Sequence, residues 1–460
     1  MNLEHFIISR DSSIKDALSL IEKNEHGVIF IINKRNKVEG MATDGDIRRI
    51  LLKDIGLEES INVCSNPNFQ WADETVSRER LIKKLDDKVK IIPILNSLME
   101  LVGIVSRDSL PIQEEESVYV RSKSPVRISF GGGGSDLTHY FSGDIGAVIN
   151  TTISFYSHAT LRVREDTQIT INSLDLGKSI TANNLDDLLK PKDGFGLIQS
   201  VIKTVGPNFG FDLDLYSDFP MSSGLGGSAV VAASILGCFN ELRQDNWDLH
   251  ELAELAYQAE RLYQGIEGGW QDQYATVFGG FNFMEFKMEQ NLVHPLRLAR
   301  ETLLELEESL ILCDTKTIHN SGSIHADQRE QMKSTQIKKL VQANVNLCFE
   351  MRNQLLRGRL LEFGQSLNKA WEFKRGLSSE ITNDHLDSIY SDAIAHGAIG
   401  GKLLGAGGGG FFIFFAPHNK KLNVIEGLNN LGLRVRPFRF ESEGLQSWKV
   451  REQKLTKNLK

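Results

Sequence analysis

The densest concentration of chemically useful residues is Pro220-Met221-Ser222-Ser223-Gly224-Leu225-Gly226-Gly227-Ser228. Glycine lets the backbone turn its N–H groups toward one point and come close to a ligand. The following stretch, 229–242, is small and apolar and reads as a helix. Its unpaired N–H groups and positive dipole end would face the same point. Loop and helix together make a site for an anion, most often a phosphate. The stretch is not a Walker A loop, because Gly-x-x-x-x-Gly-Lys-Ser/Thr is missing and no lysine neutralises the phosphates.

Three carboxylates stand near glycine runs or on apolar faces. Leu249, Ala253, Ala256, Glu260 and Tyr263 recur at helical spacing on one face. A carboxylate on an apolar stripe must be paired or bound to a metal. Mg2+, which takes one or two protein oxygens beside phosphate oxygens and water, is one partner; a nearby arginine is the other, and from the stripe alone it is the simpler reading. Asp272 follows the Gly-rich turn before Trp270. It is placed either to act from a cleft as a general base or to cap a helix. Gly131, Gly132, Gly133 and Gly134 follow a strand at 119–130 and precede Asp136. In an idle turn such a run would waste entropy, so close approach of backbone to a ligand is the better explanation. Asp136 would accept from a hydroxylated substrate or cap the next helix. A third run, Gly405 to Gly410, feeds the apolar strand Phe411–Phe415. It would pack against a bound phosphate or against the first phosphate loop.

The elements that must hold these residues need more than one domain. The chain has 460 residues, 41% hydrophobic, which sets an expectation of two or three domains. A net charge of −8 argues against nucleic acid as the main partner. Cys64, Cys238, Cys313 and Cys348 form no C-x-x-C pair and read as reduced thiols of a cytoplasmic protein. No signal peptide and no membrane span are expected. The Lys-rich end, 449–460, reads as frayed.

Residues 1–115 hold two similar units. Each has a helical stretch (14–22, 79–85), a strand (27–32, 90–95), a turn and a second strand, the latter running into Thr43-Asp44-Gly45-Asp46 or Ser106-Arg107-Asp108-Ser109. The pair resembles a tandem CBS module, an α/β unit that commonly binds adenine nucleotides. The resemblance implies a regulatory nucleotide on Thr43 and Asp46. The second unit has Ser109 where the Asp would stand, so one competent site is the better expectation. Dimerisation alone is the alternative role, and a homodimer is expected. The acidic stretch 113–117 marks the boundary.

Beyond it, Ser124-Pro125-Val126-Arg127 to Asp136, then Pro220 to Ala229, then Lys402 to Phe411 resemble, in order and spacing, the three motifs of the GHMP kinases. The match covers roughly 119–445. Within the superfamily, the runs 127–136, 269–275, 371–375 and 397–411 look most like the D-glycero-D-manno-heptose 7-phosphate kinases. The resemblance implies an α+β protein with the two-subdomain GHMP kinase fold. Residues 116–295 would form a ribosomal protein S5-like, ATP-binding N-terminal half, and 296–460 a ferredoxin-like C-terminal half. It further implies that Ser222, Ser223, Gly224, Leu225, Gly226, Gly227 and Ser228 hold the phosphates of ATP. Ser228 and Glu260 would hold Mg2+. Asp272 would be the base and Arg127 the stabiliser of the transferring group. Gly133, Gly134, Asp136, His319, Gly407 and Gly408 would meet a sugar or sugar phosphate, whose product is a sugar 1-phosphate. Those heptose kinases carry Thr-Gly-x-x-Arg-x-Ser where this chain has Thr315-Lys316-Thr317-Ile318-His319-Asn320-Ser321. Another aldose, a uronic acid or a deoxysugar is therefore the alternative acceptor, and a nucleotide sensor without catalysis the alternative function.

Overall fold

A computed structural model describes residues 3–451 apart from 77, 86–88, 107–116, 192–193, 222, 264, 266–267, 318–323, 325–326, 329 and 333. His319 and Ser222 lie outside the described residues, as do Ser109 and residues 113–116. The chain divides into two compact units, Met1–Glu115 and Glu116–Lys460.

The first unit repeats one motif twice. In the first copy, strand Ile7–Ser9 lies parallel to Val28–Ile32, which pairs antiparallel with Val38–Thr43. In the second, Ala72–Asp73 lies parallel to Ile91–Leu95, which pairs antiparallel with Leu101–Ser106. Helices Ile14–Asn24 and Arg78–Lys84 make the crossovers. The repeat extends to turn chemistry. Asn33 accepts from the amides of Arg35 and Lys37, and Asn96 from those of Leu98 and Glu100. Each turn then closes on a left-handed residue, Asn36 in one and Met99 in the other. Asparagine tolerates that conformation well and methionine poorly. Phe30 and Val38 share a core with Leu95.

In the second unit, strand Gly146–Val163 is the hub of a nine-stranded sheet. Its first eight residues are all buried and the rest alternate. The pattern marks a strand covered on both faces at one end and on one face at the other. It pairs with Ser117–Gly131, Phe211–Ser217 and Phe281–Phe286. The helix Gly227–Asn240 is buried along nearly its whole length against the strands at 117–131 and 146–163. A four-stranded antiparallel sheet follows, in the order Gly400–Leu403, Phe411–Phe415, Leu310–Asp314, Arg434–Arg436. This is the ferredoxin-like order. Every side chain of Phe411–Phe415 is buried.

Three expectations need correction. Residues 449–451 of the end expected to fray are ordered, and 452–460 lie outside the described residues. Gln446–Arg451 forms a strand beside Ser117–Gly131, because that long strand leaves backbone groups that need partners. Phe440–Glu441 likewise joins Gly146–Val163. Residues 296–460 are therefore not one continuous C-terminal half, since their last strands return to the first sheet. Finally, Leu249 and Tyr263 are exposed, at 43% and 48%. The helix Leu249–Tyr257 runs into a π-helical turn, Gln258–Tyr263. That turn breaks the regular period, and Ala259 joins Glu260 on the buried side.

Candidate active site

Arg127 is the structural centre of the site. It lies on strand Ser117–Gly131 and is 3% exposed. Its Nε and Nη2 donate to the two carboxylate oxygens of Asp272 at 2.8 and 2.9 Å. Its Nη1 donates to the Gly224 carbonyl at 2.7 Å. Two-point guanidinium–carboxylate contact fixes orientation as well as charge. Asp272 sits in the first turn of helix Gln271–Phe278 and does not cap it; Trp270 holds that position. Gly226 has φ +81°, and a Cβ there would stand 3.4 Å from the Asp272 carboxylate. The carboxylate is thus set directly against the loop.

Asp136 is buried, and its oxygens accept from the amides of Gly134 and Gln271 at 3.1 and 3.3 Å. Its carbonyl accepts from Trp270 N–H. It therefore pins the start of the helix that carries Asp272. It does not cap the next helix, Thr138–Phe141. Burial, followed by the Asp272 charge, pushes the Asp136 carboxyl up against the pull of those amides. A Cβ at Gly269 would fall 1.9 Å from Asp136 Oδ2, so only glycine fits there.

Glu260 is 4% exposed. It pairs with Arg261 at 3.2 Å and accepts from Gln273 at 2.7 Å. Burial pushes its carboxyl up, as does Asp272, while Arg261, Gln273 and the Ser228 hydroxyl pull it down. The salt bridge expected from the apolar stripe is present, and the Ser228 hydroxyl is within hydrogen-bonding reach of the same carboxylate.

The third glycine run packs on the first phosphate loop. A Cβ at Gly405 would stand 2.5 Å from Gly224 Cα, and one at Gly410 2.4 Å from the Ser223 carbonyl. These groups enclose a cavity of about 340 Å³. Its wall includes apolar side chains, Leu176, Leu197, Ile198, Leu215 and Phe219, and polar ones, Arg127, Asp136, Asp272, Lys374 and Lys402. The hydroxyls of Ser129 and Ser223 and the Gln271 side-chain oxygen, on residues of this wall, are buried with no partner among the described residues. Buried polar atoms of this kind await a ligand or water.

The models of the GHMP kinase N-terminal and C-terminal domains match residues 195–280 and 351–432, and that of the CBS domain matches 1–53. The chain is 35% identical over 337 residues to D-glycero-alpha-D-manno-heptose 7-phosphate kinase of Campylobacter jejuni, covering 72% of this chain and 99% of the relative. The chain belongs to the GHMP kinases. It is a sugar kinase of that family with an N-terminal CBS domain. Its fold superposes on the crystal structure of a D-glycero-D-manno-heptose 1-phosphate kinase from Bacteriodes thetaiotaomicron with a TM-score of 0.61 at 30% identity, covering 72% of this chain and all of that one. L-fucokinase/L-fucose-1-P guanylyltransferase of Bacteroides fragilis is 26% identical over 368 residues, covering 69% of this chain and 36% of that longer protein.

In this GHMP kinase, Arg127, Gly133, Gly134, Asp136, Ser223, Gly224, Gly226, Gly227, Ser228, Glu260 and Asp272 all line the one cavity. Leu225 does not; its side chain is in the core and its carbonyl accepts from Arg127 N–H. Gly407 and Gly408 are absent from the wall. The Gly408 amide is taken by the Ile381 carbonyl and a Cβ at Gly407 would strike Ile381, while Gly405 and Ala406 face the cavity instead. Thr43 and Asp46 form a capping box at the start of helix Asp44–Leu51. Burial opposes the Asp46 charge, but hydrogen bonds from Thr43 and Arg49 hold its carboxyl below the usual range.

Sequence reasoning missed Lys374 and Lys402 as wall residues, and with them the apolar side chains of the wall. The signal for Lys374 was present. It continues the buried stripe Phe363, Leu367, Trp371 of helix Leu360–Arg375, and a charge on such a stripe calls for a partner.

Proposed function

We propose that this kinase transfers the γ-phosphoryl group of ATP to the anomeric hydroxyl of D-glycero-D-manno-heptose 7-phosphate, making a sugar 1-phosphate for nucleotide-activated sugar synthesis. The observation that carries the reading is the Asp272 carboxylate, clasped by Arg127 and set against the phosphate loop, in a cavity that also reaches Asp136. The 35% identical relative supports the choice of sugar.

The adenine would lie among Leu176, Leu197 and Ile198. The loop amides from Ser223 to Ser228 and the N-terminus of helix Gly227–Asn240 would hold the β- and γ-phosphates. The sugar would lie toward Gly133, Gly134 and Asp136. Asp272 would accept the proton of the attacking hydroxyl while Arg127 offsets charge on the transferring group, so that positioning and electrostatics do most of the work. Ser228 and Glu260 suit Mg2+. They offer two protein oxygens, and among the described residues no group of three or more His, Cys, Asp or Glu could hold a metal alone. Mg2+ takes its remaining ligands from phosphate and water. Its charge would relieve the burial of Glu260 and offset that of the phosphates. ATP consumption screened against sugars and sugar phosphates tests the reading. The heptose 7-phosphate should give a kcat/KM at least about tenfold above other acceptors. A leading aldose, uronic acid or deoxysugar would replace it.

The CBS unit is assigned to regulation by an adenine nucleotide at Thr43 and Asp46, in a cytoplasmic homodimer. AMP should raise the melting temperature of the full chain by about 3 °C. Asp46→Ala should abolish that shift, besides costing about 1 kcal/mol through loss of the capping box. An unshifted wild type would leave the unit with dimerisation alone.

A further inference from the structure

We propose that Lys374 and Lys402 form an anion subsite for a phosphate carried by the sugar acceptor. The proposal rests on the sugar-kinase reading and deepens it, naming the residues that would select a phosphorylated sugar over a plain one.

Both side chains are cavity wall and both are buried, at 5% and 2% exposure. Lys374 Nζ donates to the carbonyls of Leu403 and Gly405 at 2.8 and 2.6 Å. Lys402 Nζ donates to the Ser129 carbonyl at 2.8 Å. In its charged form an ammonium has three donors, so each lysine, once charged, keeps at least one for a ligand. The Ser129 hydroxyl beside them has no partner among the described residues. Their surroundings are those of the acceptor. Ser129, whose carbonyl Lys402 bonds, lies two residues before the first glycine run, and Asn344, in the same wall, bonds Gly132 and Gly133.

Charge is out of balance here. Among the described residues no carboxylate lies within ion-pairing distance of either lysine. Asp272 is taken by Arg127 and Asp136 by backbone amides. Burial, then Lys402 and Arg127, drive the Lys374 ammonium well below its ordinary range. Burial and Arg127 bring Lys402 down to about 8, against the opposing pull of Cys348 and Asp136. Charging both buried lysines without a counter-ion is costly. A neutral sugar offers only hydroxyls, whereas a phosphate dianion supplies both the charge and several acceptors, and lysine binds it as a point charge.

The test compares the heptose 7-phosphate with the unphosphorylated heptose at saturating ATP. Wild type should favour the phosphorylated sugar, and Lys374→Met should cut the ratio of the two kcat/KM values at least about tenfold, through the KM of the phosphorylated sugar. Lys374→Arg should retain most of the preference. An equal loss on both sugars, or a raised KM for ATP with an unchanged ratio, would overturn the proposal in favour of a loop anchor or an ATP contact. A wild type that uses both sugars equally would overturn it while leaving the sugar-kinase reading intact. If Lys374→Met fails to fold, or if neither sugar is accepted, calorimetric titration of inorganic phosphate into the full wild-type chain at pH 8.5 decides. In buffers of different ionisation heat, binding should take up protons as the two lysines recharge, and Lys402→Met should reduce that uptake. Binding without proton uptake, or uptake unchanged in Lys402→Met, would sink the assignment.

Discussion

Asp272→Asn is expected to lower kcat on the accepted sugar by about 10³-fold, with the KM for ATP within about threefold of wild type. Asn keeps the shape of the side chain and one acceptor for the Arg127 fork, but it cannot take a proton. Arg127 also stays bonded to the Gly224 carbonyl, so the loop should hold its place. Weakening one contact of a buried guanidinium should cost about 1–3 kcal/mol of stability, visible as a lower melting temperature. The two effects separate by measurement. A kcat within tenfold of wild type, together with a lower melting temperature, would reduce Asp272 to a strut for Arg127 and remove it as the base.

Glu260→Gln distinguishes a metal ligand from a structural ion pair. The substitution preserves volume and deletes the charge. If Glu260 meets Mg2+ in the working enzyme, the free Mg2+ needed for half-maximal rate should rise on the order of tenfold or more. If it serves only Arg261, the Mg2+ requirement should stay put while stability falls by about 3 kcal/mol, the usual cost of breaking a buried pair from one side. The π-helical turn that carries Glu260 is a local irregularity of the kind that often marks a functional position. A Mg2+ requirement within threefold of wild type would end the metal assignment.

What the sequence disclosed follows from how local each signal is. The loop at 220–228 and its helix were legible because glycine runs and an apolar helix are neighbours in the chain. Asp272 was legible for the same reason, next to its own Gly-rich turn. The double unit at the N-terminus repeats turn residues as well as strands, with Gly40 and Gly103 at equivalent places in the two hairpins. Long-range meetings left no such trace. Arg127 and Asp272 are far apart in sequence, and only the resemblance to known kinases suggested that they share a site. Lys374 was hidden because a lysine in a helix is ordinarily solvated; only its place on a buried stripe marked it. Gly407 and Gly408 were misjudged because a glycine run does not reveal which of its members face a ligand and which let the chain pass Ile381. The period-based face for Glu260 failed through the π-turn, which no simple spacing rule contains.

The returning strand at Gln446–Arg451 has a consequence for synthesis. It pairs with Ser117–Gly131, the strand that carries Arg127, and Phe440–Glu441 pairs with the hub strand nearby. Chain made earlier is therefore completed by chain made later. While a ribosome is still adding the ferredoxin-like strands, the edge that supports Arg127 stays without its partner. This sheet is complete only once the chain has emerged through Arg451, and contacts of such sequence separation form slowly. A cut or a bulky fusion just before Phe440 would thus act, from a distant part of the chain, on the sheet that carries the arginine clasp.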